Sequence, residues 1–333
     1  MKLGTLYTTR IGILKLFPAH KEKAHITPNS LFAKPGTTKT KSLTNSHNVN
    51  NMKTHSSITG IRSRLGELKS EDQSIAFVPT MGYFHEGHLS LFRAARERAD
   101  IVVASIYVNP TQFGPDEDFD DYPRDMERDL ELAEQEGVSE VFTPSDEIMY
   151  PSEHKLSIQI DQLADHLCGA SRDGHFEGVL LVVNKLFNII EPDVAVFGQK
   201  DIQQFVLIQR MVEEFNHNIE LIRAPIARAN DGLALSSRNT YLTEQERVVA
   251  PGLYRCLKYL KKQIEDGVSN ILLILNHQKA ELEQKGFDVD YLSVVNYNDL
   301  FPVENVEEGK TYIIAVAAYL GETRLIDNMI VKF

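Results

Sequence analysis

The chain has 333 residues, of which 42% are hydrophobic and 25% charged, a globular composition that excludes a fibrous or wholly disordered protein. Its length suits about two domains of roughly 150 residues each, and it holds no apolar run of about eighteen residues that would make a transmembrane helix. A formal charge of −12 argues against a general nucleic-acid coat, yet it leaves room for one small anionic substrate in a local positive pocket.

Charge is uneven along the chain. Residues 1–51 hold eight Lys/Arg and one acid, Glu22, whereas the remainder holds 27 basic and 46 acidic side chains. This leader is rich in Thr, Ser, Asn and Lys and has no apolar periodicity, so it is expected to be disordered. Two origins fit it: an organelle transit segment, or sequence upstream of a start at Met52, which the Asn run before "MK" favours slightly. The expected location is cytoplasmic, with organelle import if residues 1–51 are genuine. Two distant cysteines, Cys168 and Cys256, exclude a secreted disulfide scaffold and point to a reducing compartment.

After Met52 the pattern alternates. Short β-branched runs at 74–80 and 101–109 flank a helical spacing at 88–99. An acidic amphipathic helix over 122–137 leads to a strand at 138–144. A largely buried helix over 178–192 leads to a strand at 193–198, then a helix over 201–215 that Asp201 is placed to cap. These units predict a doubly wound, Rossmann-like α/β domain with a parallel sheet, whose ligand crevice lies beyond the carboxyl ends of the strands. From about residue 226 the texture changes. Thr243 and Glu246 form a capping box for a helix reaching about Gly267, a second helix covers 269–285, and strands follow at 288–295, 311–320 and 323–331. A smaller α+β C-terminal domain is expected over 228–333, with 52–227 as the first.

Four segments carry chemistry. "PTMGYFHEGH" (79–88) brings His85 and His88 to a helix start, where exposed N–H groups, the helix dipole and two imidazoles can serve a nucleotide's α-phosphate. A lone histidine there is usually structural, and zinc would need the H-E-x-x-H spacing and a third ligand, neither of which is evident. "VNPTQF" (108–113) places the neutral amides of Asn109 and Gln112 past a strand end, suited to a carboxylate and a hydroxyl. The acidic stretch 116–121 reads as a solvated loop, or as a wall that moves over the site. "FGQKDIQQF" (197–205) offers Lys200 as a phosphate cation, Asp201 near a hydrated magnesium ion, and one of Gln203 and Gln204 toward the crevice. "DGLALSSRN" (231–239) offers two serines and Arg238 as a clamp on a triphosphate.

These motifs, in this order and together with "YPRD", "GHFEGV" and "KLFNIIEPDVAVFGQKD", resemble the pantothenate synthetase (pantoate–β-alanine ligase) family of H-x-G-H nucleotidyltransferases, over about 60–333. The resemblance implies a ligase that condenses (R)-pantoate with β-alanine through a pantoyl adenylate, releasing AMP and pyrophosphate, with Mg²⁺ carried mainly by ATP and no dedicated metal ligands. It implies catalytic roles for His88, His85, Lys200 and Arg238. The same resemblance places ATP against Met81, Gly82, Tyr83, Phe84, His85, Glu86, Gly87 and His88, then Gly198, Gln199, Lys200 and Asp201, and finally Ala227, Leu235, Ser236, Ser237 and Arg238. Gln112 is expected at both pantoate and β-alanine, and Gln204 at pantoate. A homodimer through the first domain, a lid role for the second, and no nucleic-acid or membrane partner complete the expectation. The chain departs from the family at Gln199 (usually Glu), which removes a charge near the triphosphate, at Leu181 (Thr), which removes a hydroxyl, and at Leu235 (Met) and Asp173 (Pro). His85, His88, Lys200, Arg238, Gln112 and Gln204 are all present, so an active enzyme is expected. Two other readings remain: a nucleotidyltransferase that adenylates a phosphate-bearing substrate, which the neutral Gln112 and Gln204 disfavour, and an inactive nucleotide-binding homologue.

Overall fold

A computed structural model describes residues 52–115, 117–152, 155–268 and 270–333. The leader, and the expectations about it, lie outside the described residues.

The first lobe is a parallel sheet built from β1 (Lys53–His55), β2 (Ile75–Thr80), β3 (Ile101–Ile106), β4 (Glu140–Phe142), β5 (Val194–Gly198) and β6 (Glu220–Ala224). Helices α1 (Ile58–Ser70), α2 (Glu86–Arg96), α3 (Met126–Gln135), α4 (Asp146–Met149), α5 (His175–Ile190) and α6 (Ile202–Glu214) alternate with them. The strand order is β1-β4-β3-β2-β5-β6. From β2 the chain steps outward to β3 and β4, then returns to β5 on the other side of β2, so the order reverses at β2. An open parallel sheet binds ligands beyond the carboxyl ends of its strands at such a reversal. Strand β3 reads IVVASI and is buried throughout, as expected of a strand covered on both faces.

The second lobe carries α7 (Glu244–Val249), α8 (Gly252–Glu265) and α9 (Ile271–Gln284), followed by β7 (Asp288–Asn296), β8 (Thr311–Leu320) and β9 (Thr323–Lys332). The three strands form an antiparallel sheet with β8 central. Alternation along β8 divides its side chains. Ile314, Val316 and Ala318 pack with Leu253, Leu257 and Leu260 of α8, while Ile313 and Ala315 join the core of the first lobe. One strand therefore serves two cores, and the two sheets belong to one compact unit.

Several boundaries differ from the sequence reading. The helix expected over 122–137 starts at Met126, because Asp125 caps it through Arg128 N and Tyr122 is buried below it. The helix expected from Thr243 to Gly267 is two helices, broken where Pro251 removes a backbone donor; the capping box of Thr243 and Glu246 is present. Asp201 occupies the N-cap position of α6, but its side chain makes no capping bond. Strands β1 and β6 and helix α1 were not expected; the first two are short, and α1 carries only a thin apolar stripe of Ile61, Leu65 and Leu68.

Candidate active site

Strand β2 delivers the first segment into the crevice. Gly82 takes φ +84°, a region open to glycine, and Tyr83 follows at φ +52°, uncommon for any other residue. Asp129 of α3, 1% exposed, accepts the N–H of Tyr83 at 2.5 Å and that of Phe84 at 2.6 Å and so holds this turn. Burial raises the Asp129 carboxyl above its ordinary value despite those two bonds.

His85 is the N-cap of α2, and its Nδ1 accepts the Gly87 N–H at 3.0 Å. His88 Nδ1 accepts the His85 N–H at 3.3 Å, and the two rings lie 4.3 Å apart. Both Nδ1 atoms are thus acceptors, which places the proton of each neutral ring on Nε2. Burial, aided by the Lys200 charge, lowers His85 to about 4. Burial, then the neighbouring His85, lowers His88 to about 3. Near neutrality both rings are uncharged donors, each keeping some surface open to the cavity.

The turn after β3 carries Gln112, 8% exposed. Helix α5 approaches it so closely that a Cβ on Gly178 would meet Thr111 O at 2.1 Å. Asn109 borders the cavity beside Gln112 but is only 1% exposed; it donates to Gln112 Oε1 and Gly178 O, and accepts from Tyr150 Oη and Thr111 Oγ1. It orients Gln112, leaving Gln112 Nε2 on the weak acceptor Met81 Sδ at 3.1 Å.

At the end of β5 lies a short 3-10 turn, Gln199–Asp201. Lys200 is 22% exposed and 3.8 Å from Asp201. Gln203 turns inward, donating to Leu163 O and His166 O, while Gln204 lines the cavity. Gln199 faces away, pairing with Asn328 of β9.

The segment linking the lobes supplies Ala227, Leu235, Ser236, Ser237 and Arg238, which border the same cavity of about 240 Å³ as His85, His88, Gln112, Lys200 and Gln204. A second cavity, about 1080 Å³, shares Lys200, Gln204, Ser236 and Arg238 and opens between the lobes. Arg238 is gripped by Asp118 at 3.0 and 2.6 Å, so the acidic loop is a partner of the site as well as a solvated stretch.

All four expected segments therefore converge. Within Met81–His88, Met81, His85, Gly87 and His88 border the cavity. Phe84 is a core side chain packed on Phe92, and exposed Glu86 pairs with Arg93. Sequence reasoning missed Asp129, Arg172, His175 and Asn328. Arg172 lines both cavities, held by Glu117 at 2.7 and 2.6 Å. It donates to His175 Nε2 at 2.8 Å, and His175 Nδ1–H donates to Gln112 O at 2.7 Å. Burial, then Arg172, lowers His175 to about 4. An acid on an apolar helix stripe was the available signal for Asp129; Asn328 gave none.

A doubly wound sheet with two neutral imidazoles at a helix start, facing a lysine and an arginine across a crevice, defines a phosphate-handling α/β enzyme. The chain belongs to the pantoate–β-alanine ligase family, whose family model matches residues 53–330. It is 50% identical over 267 residues to pantothenate synthetase of Caldicellulosiruptor bescii, covering 80% of this chain and 94% of that one. Identity to the Alcanivorax borkumensis pantothenate synthetase is 47% over 279 residues, 84% of this chain and 97% of the relative. The crystal structure of pantothenate synthetase from Thermus thermophilus matches with TM-score 0.77 and 41% identity, over 84% of this chain and 99% of that one. Pantoate–β-alanine ligase from Francisella tularensis, solved with beta-gamma ATP and β-alanine, matches with TM-score 0.71 and 33% identity, over 84% and 97%.

Proposed function

We propose that the protein condenses pantoate with β-alanine at the expense of ATP, through a pantoyl adenylate, releasing pyrophosphate and then AMP. The family membership and the relative solved with beta-gamma ATP and β-alanine support the overall reaction. One observation carries the route: His85 and His88, both proton-bearing at Nε2, border one cavity with Lys200, Gln112 and Gln204.

In the first step a pantoate carboxylate oxygen attacks the α-phosphorus of ATP, and the bond to the β-phosphate oxygen breaks. Negative charge gathers on the non-bridging and leaving oxygens, where positioned donors stabilise it most. His88 Nε2–H and His85 Nε2–H supply neutral donors at the α-phosphate, and Lys200 and Arg238 supply charge along the phosphates. Gln204 and Gln112 hold pantoate by its hydroxyl and carboxylate without adding charge that would compete for the phosphates. In the second step the β-alanine amine, beside Gln112, attacks the acyl carbon, and the carboxylate-derived oxygen leaves with AMP.

Among the described residues no group of three His, Cys, Asp or Glu is placed to hold a metal. Asp201, whose carboxylate lies 3.8 Å from the Lys200 ammonium, is the oxygen donor that would hold a water of a hydrated Mg²⁺ carried by the triphosphate. Magnesium would neutralise phosphate charge there. Residues 228–333 act as a lid over 52–227, keeping water from the mixed anhydride. The resemblance also supports a homodimer through the first lobe, which sedimentation would test. Two buried free cysteines support a reducing compartment such as the cytoplasm, and no helix among the described residues is long and apolar enough to cross a membrane.

The test is AMP formation from protein, ATP-Mg²⁺, pantoate and β-alanine. AMP should appear in step with pantothenate and depend on both acids; ADP formation, or AMP indifferent to β-alanine, would refute the reading.

A further inference from the structure

Asn328 lies in the middle of β9, 2% exposed, opposite Ala315 of β8. Its side chain reaches out of its own lobe. Nδ2 donates to the carbonyl oxygens of Gln199 and Lys200, both at 2.9 Å, and Oδ1 accepts from Gln199 Nε2 at 3.2 Å. The amide thereby grips the turn that presents Lys200 on both its sides.

That turn has little else to fix it. It is a 3-10 segment of three residues, a geometry with few and poorer bonds of its own. Its N-cap, Gly198, has no side chain, and Asp201 makes no capping bond to α6. External partners therefore decide where the Lys200 Cα sits, and with it the direction in which the ammonium enters the cavity.

The residue beside it makes a matching contact on the opposite face of the strand. Asp327, 4% exposed, holds Arg228 through both carboxylate oxygens at 2.6 and 2.8 Å. Arg228 also donates to Gly232 O at 3.0 Å, lies 4.0 Å over the Tyr254 ring, and forms a β-bridge with Ala234. Ala234 leads directly into Leu235–Arg238. Two consecutive residues of one strand thus hold the turn of Lys200 and the segment leading into Arg238, the two that carry the proposed phosphate cations. Adjacent strand residues point to opposite faces, which is what allows one strand to grip two walls.

We propose that Asn328 is a positioning residue for Lys200, and that the Asp327–Asn328 pair makes the placement of Lys200 and of Ser236–Arg238 a single event set by the second lobe. The inference rests on the reading of Lys200 as the cation for the ATP phosphates. A strand of the lid that carries the lysine's turn would present the cation correctly only when the lobes are packed together. The Lys200 side chain and its anchor therefore belong to different lobes of the fold.

The test is ATP-Mg²⁺ affinity by titration calorimetry on the full chain, for wild type, Asn328→Ala, Lys200→Ala and the double variant, with melting temperatures alongside. Asn328→Ala removes the three bonds and should weaken ATP about tenfold, while the KM for pantoate stays within about twofold. In the Lys200→Ala background the same change should cost less than about twofold, because its effect passes through the lysine. Asn328→Asp keeps the volume and can accept from Gln199, but sets a carboxylate against two carbonyls; it should weaken ATP at least as much with a smaller loss of melting temperature. A purely structural role would lower the melting temperature and the active fraction while leaving ATP affinity intact. ATP affinity within twofold of wild type in both Asn328 variants, or equal weakening with and without Lys200, overturns the proposal. Wild-type protein that does not bind ATP would instead remove the ligase reading and this inference with it.

Discussion

Arg238 donates from Nε and Nη2 to the two carboxylate oxygens of Asp118, at 3.0 and 2.6 Å, across the mouth of the cavity that also holds Lys200. One edge of the guanidinium, which could otherwise pair with a triphosphate, is therefore held by an acid of the same chain. Asp118 is 27% exposed and Arg238 32% exposed, so solvent screens the pair and it is worth up to about 1 kcal/mol. Asp118→Ala should lower the KM for ATP by about threefold and weaken its salt dependence. A raised KM would mean that Asp118 organises Arg238 for ATP and does not compete with it.

Three half-buried histidines set a pH dependence. The ordinary value is 6.5, whereas His85 and His175 fall to about 4 and His88 to about 3. Between those values the unfolded chain binds protons that the folded protein refuses, so stability rises with pH in this window and is lost as pH falls from about 6.5 toward 4. Urea midpoints at pH 7.5 and 5 should differ in that sense, and His88→Gln should reduce the difference. The same shifts predict no histidine inflection in kcat/KM between pH 6 and 8. An inflection near 6.5 that disappears in His88→Gln would show that His88 titrates normally.

Neighbouring glutamines should separate binding from stability. Gln204 lines the cavity, and its loss should raise the KM for pantoate about tenfold with little change in melting temperature. Gln203, 4% exposed, ties the carbonyls of Leu163 and His166 to α6. Gln203→Ala should cost about 1–3 kcal/mol of stability, because it strands buried carbonyls, and affect KM little. The reverse pattern would mean that the two side chains exchange roles in the working enzyme.

The hold of Asp129 on Tyr83 and Phe84 makes a further prediction. Asp129→Ala leaves two N–H groups without their acceptor and relaxes a turn with two consecutive positive φ values. It should cost about 2 kcal/mol or more and reduce kcat/KM for ATP, since His85 and His88 follow directly. Urea denaturation and initial rates check this; unchanged kinetics would detach the turn from the histidines.

Much of the site was legible because its residues stand beside punctuation. His85 and His88 follow Gly82 at a strand end, Gln112 follows a strand and Pro110, and Lys200 follows Gly198, so local pattern alone places each at a carboxyl end of the sheet. The Rossmann-like α/β expectation followed from the same alternation. What stayed hidden depends on long-range approach. Asn328 meets Gln199 across 129 positions and Asp118 meets Arg238 across 120, and no local periodicity encodes such a meeting. Strand β1 is three residues long and carries little apolar signal; its pairing with β4 places it in the sheet. The break at Pro251 was legible from the proline itself, which has no backbone donor to continue the helix, whereas the capping box at Thr243 marks only where a helix begins.

The account stands most directly on oxygen transfer. Pantoate labelled with ¹⁸O in its carboxylate, incubated with ATP-Mg²⁺ and β-alanine, should yield AMP carrying one ¹⁸O per turnover, since the oxygen that attacks the α-phosphorus leaves with AMP when the amine attacks the acyl carbon. Label in orthophosphate, or AMP without label, would contradict it.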